Sequence, residues 1–217
     1  MGKMVIHYIA KTTREMAELR IIQFNNWRDP MGYRLNDSKV FVVRNGKRID
    51  NFEVVQPLKN KALYGEFANN VVNAEGVLQF VQRHGPLTDQ GNDQGDFVND
   101  VLINAERMRY ILGLLSDRRQ RAGLGKRFGI PAIPLHVVMN LDQKTRVLRW
   151  EMWPNRLLDA LWLQVGQAAT SGARIQTCAL CREFFAAGYP RERRLDSKFC
   201  SDEHRVRYNS LKRSWGE

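Results

Sequence analysis

The residues most able to do chemistry in this chain lie between positions 178 and 204. All three cysteines of the sequence occur there, as Cys178, Cys181 and Cys200, and His204 follows the last of them by four positions. A Cys-x-x-Cys pair presents two thiolates to one ion from a tight turn, and residues four apart share one face of a helix. Three thiolates and one imidazole are a ligand set that zinc prefers in structural sites. The spacing therefore predicts a zinc site made of these four residues.

The same four residues argue against catalysis at the ion. A catalytic zinc normally keeps three protein ligands and one open position, whereas four protein ligands close the coordination shell. No general base stands beside the predicted ligands, and His136 and Asp142 have no Ser or Cys nucleophile near them in sequence. We therefore predict a structural zinc ion, no catalytic residue and no other cofactor.

The composition is typical of a globular protein that binds polyanions. The chain has 217 residues, of which 43% are hydrophobic, so a sizeable core can form. It has no apolar run of about eighteen residues and no signal-peptide pattern, and its cysteines are confined to one site, which together predict a reducing, cytoplasmic location. The net charge of +11 is typical of a protein that binds nucleic acid or an anionic surface. We predict a nucleic-acid partner and no membrane; a merely solvated basic surface is the simpler alternative.

The elements that must position the site are β-rich at the start of the chain. Short apolar runs predict strands over residues 4–10 and 19–24. Asn45-Gly46 lies between β-forming residues and predicts a two-residue hairpin turn, because both residues tolerate positive φ. The second strand of this hairpin is expected to extend to Val55.

The middle of the chain has helical patterning. Asn73 is placed to cap a helix that ends at His84, and Asp96 to cap a long helix from Phe97 to about Arg121. Two strands and one helix follow, at 135–141, 147–153 and 154–171. Strands followed by helices predict an α+β fold for a larger domain over residues 1–172, whose role the sequence does not indicate.

Residues 174–217, called the finger below, are predicted to form a small unit around the ion. Phe184 and Phe185 follow the first cysteine pair as an apolar strand, and Ser201 is placed to cap a last helix. On that helix, His204 and Leu211 are expected to share the packed face. A knuckle, a hairpin and a helix that bears the second ligand pair describe a treble clef, and metal binding would supply folding energy that so short a segment lacks.

The basic residues of the finger are candidates for nucleic-acid contacts, since arginine and lysine make most protein–phosphate contacts. They are Arg191, Arg193, Arg194, Arg205, Arg207, Lys212 and Arg213. If they act in this way, binding should weaken steeply as salt rises.

The finger also resembles a known bacterial family. The segments Cys178-Ala-Leu-Cys181-Arg-Glu-Phe-Phe185, Arg193-Arg194 and Phe199-Cys-Ser-Asp-Glu-His204-Arg-Val-Arg207 are similar to the CGNR-type zinc finger. The resemblance covers only residues 174–213, and it implies an RNA-binding, zinc-ribbon-like module behind a larger domain in a transcriptional regulator. Two features depart from that family: the fourth ligand is a histidine, and Glu203-His-Arg-Val206 replaces the Cys-Gly-Asn-Arg signature.

Three functions compete on this basis. The first is a regulatory nucleic-acid-binding protein whose zinc finger presents a basic helix. The second is a protein–protein adaptor in which the finger is only a folding staple. The third, an enzyme that uses zinc as a Lewis acid, is disfavoured by the closed ligand set.

Overall fold

The computed structural model describes residues 26–39, 41–45, 53–60, 62–88, 95–117, 133–141, 148–170, 174–188 and 194–214. The helices of these ranges are α1 Leu63–Asn70, α2 Ala74–His84, α3 Val98–Ser116, α4 Leu157–Thr170 and α5 Asp202–Ser214, with a 3-10 turn at Pro57–Lys59. The strands are β1 Asn26–Arg28, β2 Tyr33–Leu35, β3 Phe41–Arg44, β4 Glu53–Val55, β5 Asp96–Phe97, β6 Leu135–Leu141, β7 Leu148–Pro154, β8 Arg174–Thr177 and β9 Phe184–Ala187. The predicted α+β class is confirmed. The strands predicted over 4–10 and 19–24 lie outside the described residues.

Three helices supply most of the main core. α1, α3 and α4 pack against one another and bury apolar residues at helical spacing, among them Phe67 of α1, Met108 and Leu112 of α3, and Leu161 of α4. None of the helices in the described ranges combines the length and apolar character needed to cross a membrane. The apolar residues of α3 thus face the main core.

The strand β3 lies inside a three-stranded sheet, and the part of the predicted hairpin from Gly46 to residue 52 lies outside the described residues. Strand β3 pairs antiparallel with β2 and with β5, whereas β4 pairs with β1. Asn45 continues the pairing with β2, since its backbone N donates to Gly32 O at 3.0 Å and its side chain donates to Met31 O at 3.0 Å. The predicted extension of the hairpin to Val55 is wrong because a non-local pairing replaces it.

Capping signals predicted the start of α2 but not the start of α3. Asn73 accepts a hydrogen bond from Gly76 N at 2.8 Å and caps α2, as predicted. Asp96 was expected to cap α3, but it lies in β5. Its buried carboxylate accepts hydrogen bonds from Leu87 N at 2.8 Å and Thr88 N at 2.7 Å. Asp96 thus holds the turn after α2, and the predicted cap is wrong.

The predicted ends of the middle elements agree with the structure in all but one case. α2 ends at His84, and Gly85 follows in the left-handed region with φ 83°. β6 and β7 form the predicted antiparallel pair, and α4 ends at Thr170, next to the predicted stop. α3 is shorter than predicted: it ends at Ser116, whose hydroxyl donates to Gly113 O, and not near Arg121.

An ion-pair cluster joins α1 to the end of α2. Glu66 Oε1 lies 3.0 Å from both Arg83 Nη1 and His84 Nε2. The hydrogen bond from His84, opposed by burial, holds the pKa of Glu66 below its usual range, and the charges of His84 and Arg83 act in the same direction. A carboxyl group with a lowered pKa stabilises the fold above its unfolded pKa and loses that contribution as pH falls through the folded value.

We expect Glu66→Gln to destabilise the chain by about 1 kcal/mol at pH 7, because the variant removes a hydrogen-bonded, partly buried charge. The difference between the variant and the wild type should be full above the unfolded pKa of a glutamate, about 4.3, and should shrink as pH falls through the lower folded pKa of Glu66. Urea unfolding followed by circular dichroism at pH 7 and pH 3.5 measures both values. Glu106→Gln, on the exposed side of α3, is the matched control. An equal difference at the two pH values would contradict this account.

Candidate metal centre

The first pair of predicted ligands lies in the turn between β8 and β9. The two strands pair antiparallel, with Thr177 opposite Phe184. The turn that connects them contains Cys178 and Cys181 and is called the knuckle below. Cys178 N donates to Glu183 O at 2.9 Å and Arg182 N donates to Cys178 O at 3.0 Å. These bonds make a tight loop that presents Cys178 and Cys181 on the same side. The partner of the predicted Phe184–Phe185 strand is thus β8, which precedes the knuckle.

The second pair of ligands flanks the start of α5. Ser201 follows Cys200 directly, and its hydroxyl accepts a hydrogen bond from His204 N at 3.0 Å, which confirms the predicted cap. Arg205 N donates to Ser201 O at 3.1 Å and begins the helical hydrogen bonding. A further hydrogen bond joins the two ligand pairs, because Ala179 N of the knuckle donates to Lys198 O at 2.9 Å.

The structure brings the four predicted ligand residues together. One ligand atom from each of Cys178, Cys181, Cys200 and His204 lies within 4.8 Å of the others. The Sγ atoms of Cys181 and Cys200 are 3.7 Å apart, and Cys178 Sγ lies 3.7 Å from His204 Nδ1. Zinc–sulfur bonds of about 2.3 Å in a tetrahedron would place two sulfurs about 3.8 Å apart. Cys200 Sγ and His204 Nδ1 are closer, at 3.0 Å, so a bound ion would have to separate them slightly.

The electrostatics of the thiols also fit a cation. Burial, together with repulsion from the other two thiols, raises the pKa of Cys200 to about 12. Burial also raises the pKa of Cys181. Burial opposes the charge of Cys178 too, but hydrogen bonds from the backbone of Cys181, Cys200 and Leu180 outweigh it and lower the pKa of Cys178 to about 6. The cluster therefore favours a thiolate at Cys178 and opposes ionisation of Cys181 and Cys200. A bound cation would offset the repulsion between the three thiolates.

A small apolar cluster surrounds these ligands. Cys178 is fully buried against Phe185 and Ala187, and the partly buried Leu180 packs beside them. The ring of Phe199 packs against Tyr208 of α5 with centroids 5.2 Å apart. This cluster is too small to fold the finger alone, so the ligands must contribute to its stability.

The β8–β9 hairpin is anchored to α1. Asn69 of α1 makes two hydrogen bonds to the backbone of Phe184: its Oδ1 accepts from Phe184 N at 3.1 Å and its Nδ2 donates to Phe184 O at 3.2 Å. Gly65, one turn earlier, lets the strand approach closely, since a Cβ at this position would lie 3.2 Å from Phe184 O. Ile175 of β8 is buried in the main core. These contacts of α1 and the main core with the β8–β9 hairpin are called the seam below. The division into domains 1–172 and 174–217 stays a prediction.

The predicted nucleic-acid residues that the structure describes are all exposed. They are Arg194 before the second ligand pair, and Arg205, Arg207, Lys212 and Arg213 on α5; Arg191 and Arg193 lie outside the described residues. At about 100° per residue, Arg205 and Lys212 lie on one flank of the His204 face of α5 and Arg207 on the other. Contact of any of these residues with nucleic acid stays a prediction.

Two features of the site have no signal in the sequence. Arg182 follows the knuckle with φ 65°, in the left-handed region where glycine is usual. Asn69 lies more than a hundred positions before its partner Phe184, and an isolated asparagine on a helix indicates no contact. Constancy of Arg182 and Asn69 among related sequences is the kind of signal that would indicate these two roles.

Comparisons with protein-family models, with curated proteins and with solved structures found no match to this chain.

We expect the full chain to carry one metal ion, held by the four ligands, and Cys200→Ser to lose it. Native mass spectrometry of the purified protein gives the stoichiometry, and elemental analysis gives the identity of the ion. Glu183→Gln, an exposed neighbour of the knuckle that is not a ligand, should keep the ion and serves as the control. Equal metal content in wild type and Cys200→Ser would contradict this ligand set.

We expect Asn69→Ala to weaken metal binding by up to about 30-fold, because the hairpin that carries Cys178 and Cys181 then lacks two hydrogen bonds of about 1 kcal/mol each. Competition with a chromophoric chelator measures the affinity, and circular dichroism shows whether the helices are kept. Asn70→Ala, the adjacent and exposed residue of α1, is the matched control. An unchanged affinity in Asn69→Ala would show that the seam does not support the metal centre.

Proposed function

We propose that this chain is a zinc-binding protein whose ion is structural and whose finger binds nucleic acid through α5. The observation that carries the proposal is the combination of a four-ligand cluster with a helix that exposes its cations. Cys178, Cys181, Cys200 and His204 would hold the ion, and His204 is the residue that ties α5 to it.

Zinc is the ion that this donor set favours. Three thiolates and an imidazole are soft or borderline ligands, whereas calcium and magnesium bind through oxygen. The separation of 3.7 Å between the Cys181 and Cys200 sulfurs fits tetrahedral zinc. Four protein ligands leave no position for a substrate or an activated water, which supports a structural role and argues against an enzyme.

The charge of the finger supports a polyanionic partner. Residues 174–214 contain ten Lys and Arg residues and five Asp and Glu residues. α5 buries no residue completely, so its cations are accessible to a ligand. Arg205 forms an ion pair with Asp202 at 3.4 Å, but both side chains are exposed and the pair is therefore weak. A phosphate could displace that carboxylate at little cost.

The resemblance to the CGNR-type zinc finger points in the same direction and adds a regulatory role in transcription. It rests on the cysteine spacing, on the Phe-Cys-Ser segment and on the arginines after His204. The replaced signature around Glu203 leaves the type of nucleic acid to be decided by the surface of α5 itself.

A second candidate function is supported by exposed apolar residues on the finger. Val206 of α5 is 63% exposed and Leu195 is 48% exposed. Two isolated side chains are fewer than a stable protein–protein interface needs, so the adaptor function is the weaker candidate.

We expect the zinc-loaded chain to bind nucleic acid with an affinity that falls linearly with salt on a double-logarithmic plot. Replacing Arg205, Arg207 and Lys212 by Gln should weaken binding and reduce the slope by about 0.7 to 0.9 for each phosphate that the variant no longer neutralises. Fluorescence anisotropy across a salt titration measures both quantities.

The matched control removes three positive charges from residues 1–172, outside the finger. Arg34, Lys39 and Lys59 are exposed there, and replacing all three by Gln should change the salt slope little. An equal loss of affinity in the two triple variants would place binding outside α5. Absence of binding at low salt would overturn the nucleic-acid function and leave the finger as a folding staple.

A further inference from the structure

The outer side of α5 carries a different chemistry from its flanks. Val206, Asn209 and Arg213 follow His204 by two, five and nine positions, which at about 100° per residue places them within about 40° of the direction opposite the ligand. All three are exposed. This strip, called the outer strip below, holds a methyl-bearing, an amide and a guanidinium side chain in one line.

Those three side chains match the groups that read base edges. An asparagine amide pairs with adenine N6 and N7, an arginine pairs with guanine O6 and N7, and an apolar side chain contacts the thymine methyl. On the outward side of α5 these groups are placed to contact base edges when that side enters a groove. Phosphate binding alone would require no amide and no apolar group there.

The flanks of α5 carry cations on both sides of the outer strip. Arg205 and Lys212 lie on one flank and Arg207 on the other, and all are exposed. A helix in the major groove has a phosphate backbone on each side, so cations on both flanks are complementary to it. With its side chains, an α-helix is about 10–12 Å across, which fits a groove about 12 Å wide.

The carboxylates of α5 determine which part of the helix can enter. Asp202 and Glu203 both lie in the first turn, where they would repel phosphates. Every cation of α5 lies after them, and Lys212 and Arg213 are in the last turn. The part from Val206 to Arg213 is thus the part that can enter a groove.

Other nucleic acids fit this surface less well. Single strands are bound by stacking on exposed aromatic rings, and in the described part of the finger the aromatic rings are buried or half-buried, with Phe199 and Tyr208 packed on each other. The major groove of A-form RNA is too deep and narrow for a helix to read. B-form DNA is the nucleic acid that offers a groove for α5.

Resting on the proposed nucleic-acid function, we propose that the partner is duplex DNA and that α5 lies in its major groove. Asn209 and Arg213 determine the sequence preference. The cations on the two flanks, Arg205, Arg207 and Lys212, contact the phosphates on either side.

The test begins with selection of a preferred sequence from a randomised DNA duplex library by the zinc-loaded full chain. Its affinity is then measured for the selected DNA duplex, for each single DNA strand, and for the RNA duplex and RNA strands of the same sequence. We expect the DNA duplex to bind at least tenfold more tightly than any other form. Equal or tighter binding of a single strand or of RNA overturns the duplex assignment while leaving the nucleic-acid function intact, whereas absence of binding to every form removes both.

Variants then separate base reading from phosphate contact. Asn209→Ala should reduce the preference for the selected over a scrambled duplex by about 5- to 150-fold, with an unchanged salt slope. Arg207→Gln should weaken both duplexes alike and lower the slope. If Asn209→Ala also weakens both duplexes alike, or selection yields no preferred sequence, the outer strip does not read bases and the proposal is wrong.

Discussion

Three thiols whose sulfurs lie within 4.8 Å of one another, partly shielded from water, are the constraint on which the finger depends. Burial, together with repulsion between the thiols, raises the pKa values of Cys181 and Cys200, so ionising these two beside Cys178 is costly without a cation. A divalent ion lowers that cost for all three thiols at once. The hydrogen bonds to Cys178 Sγ and the cap at Ser201 hold the ligands near the geometry that the ion requires.

The same cluster is connected to the main core both by apolar packing, with Ile175 of β8 buried there, and by hydrogen bonds to the backbone of β9. Asn69 and Gly65 of α1 engage the backbone of Phe184, and that strand leads directly out of the knuckle. The two hydrogen bonds fix the path of the chain at position 184, and the Phe184 side chain packs against the main core beside them. A folded α1 would thus hold the hairpin that carries two of the four candidate ligands, which would reduce the entropy cost of binding a metal ion.

Features set by residues close together in sequence were predicted correctly, whereas contacts between distant residues were not. The four ligands, the caps at Asn73 and Ser201 and the β6–β7 pair follow from spacing over a few positions, and all are present. The predicted role of Asp96 was wrong because its donors belong to the turn after α2. The predicted pairing of the segment that ends at Val55 was wrong because it pairs with β1. A capping or hairpin signal states only what a residue can do locally; tertiary packing decides whether it does so.

The free surface of α5 is a direct consequence of how it is held. A helix of thirteen residues is marginal by itself in water, and α5 has no completely buried residue to stabilise it by core packing. Its attachments are the His204 ligand, the Ser201 cap and the half-buried face of Tyr208 and Leu211. These leave most of its circumference exposed, which a core helix could not offer. Binding of a partner to α5 would therefore be coupled to binding of a metal ion by the four residues, because the same cluster holds the helix in place.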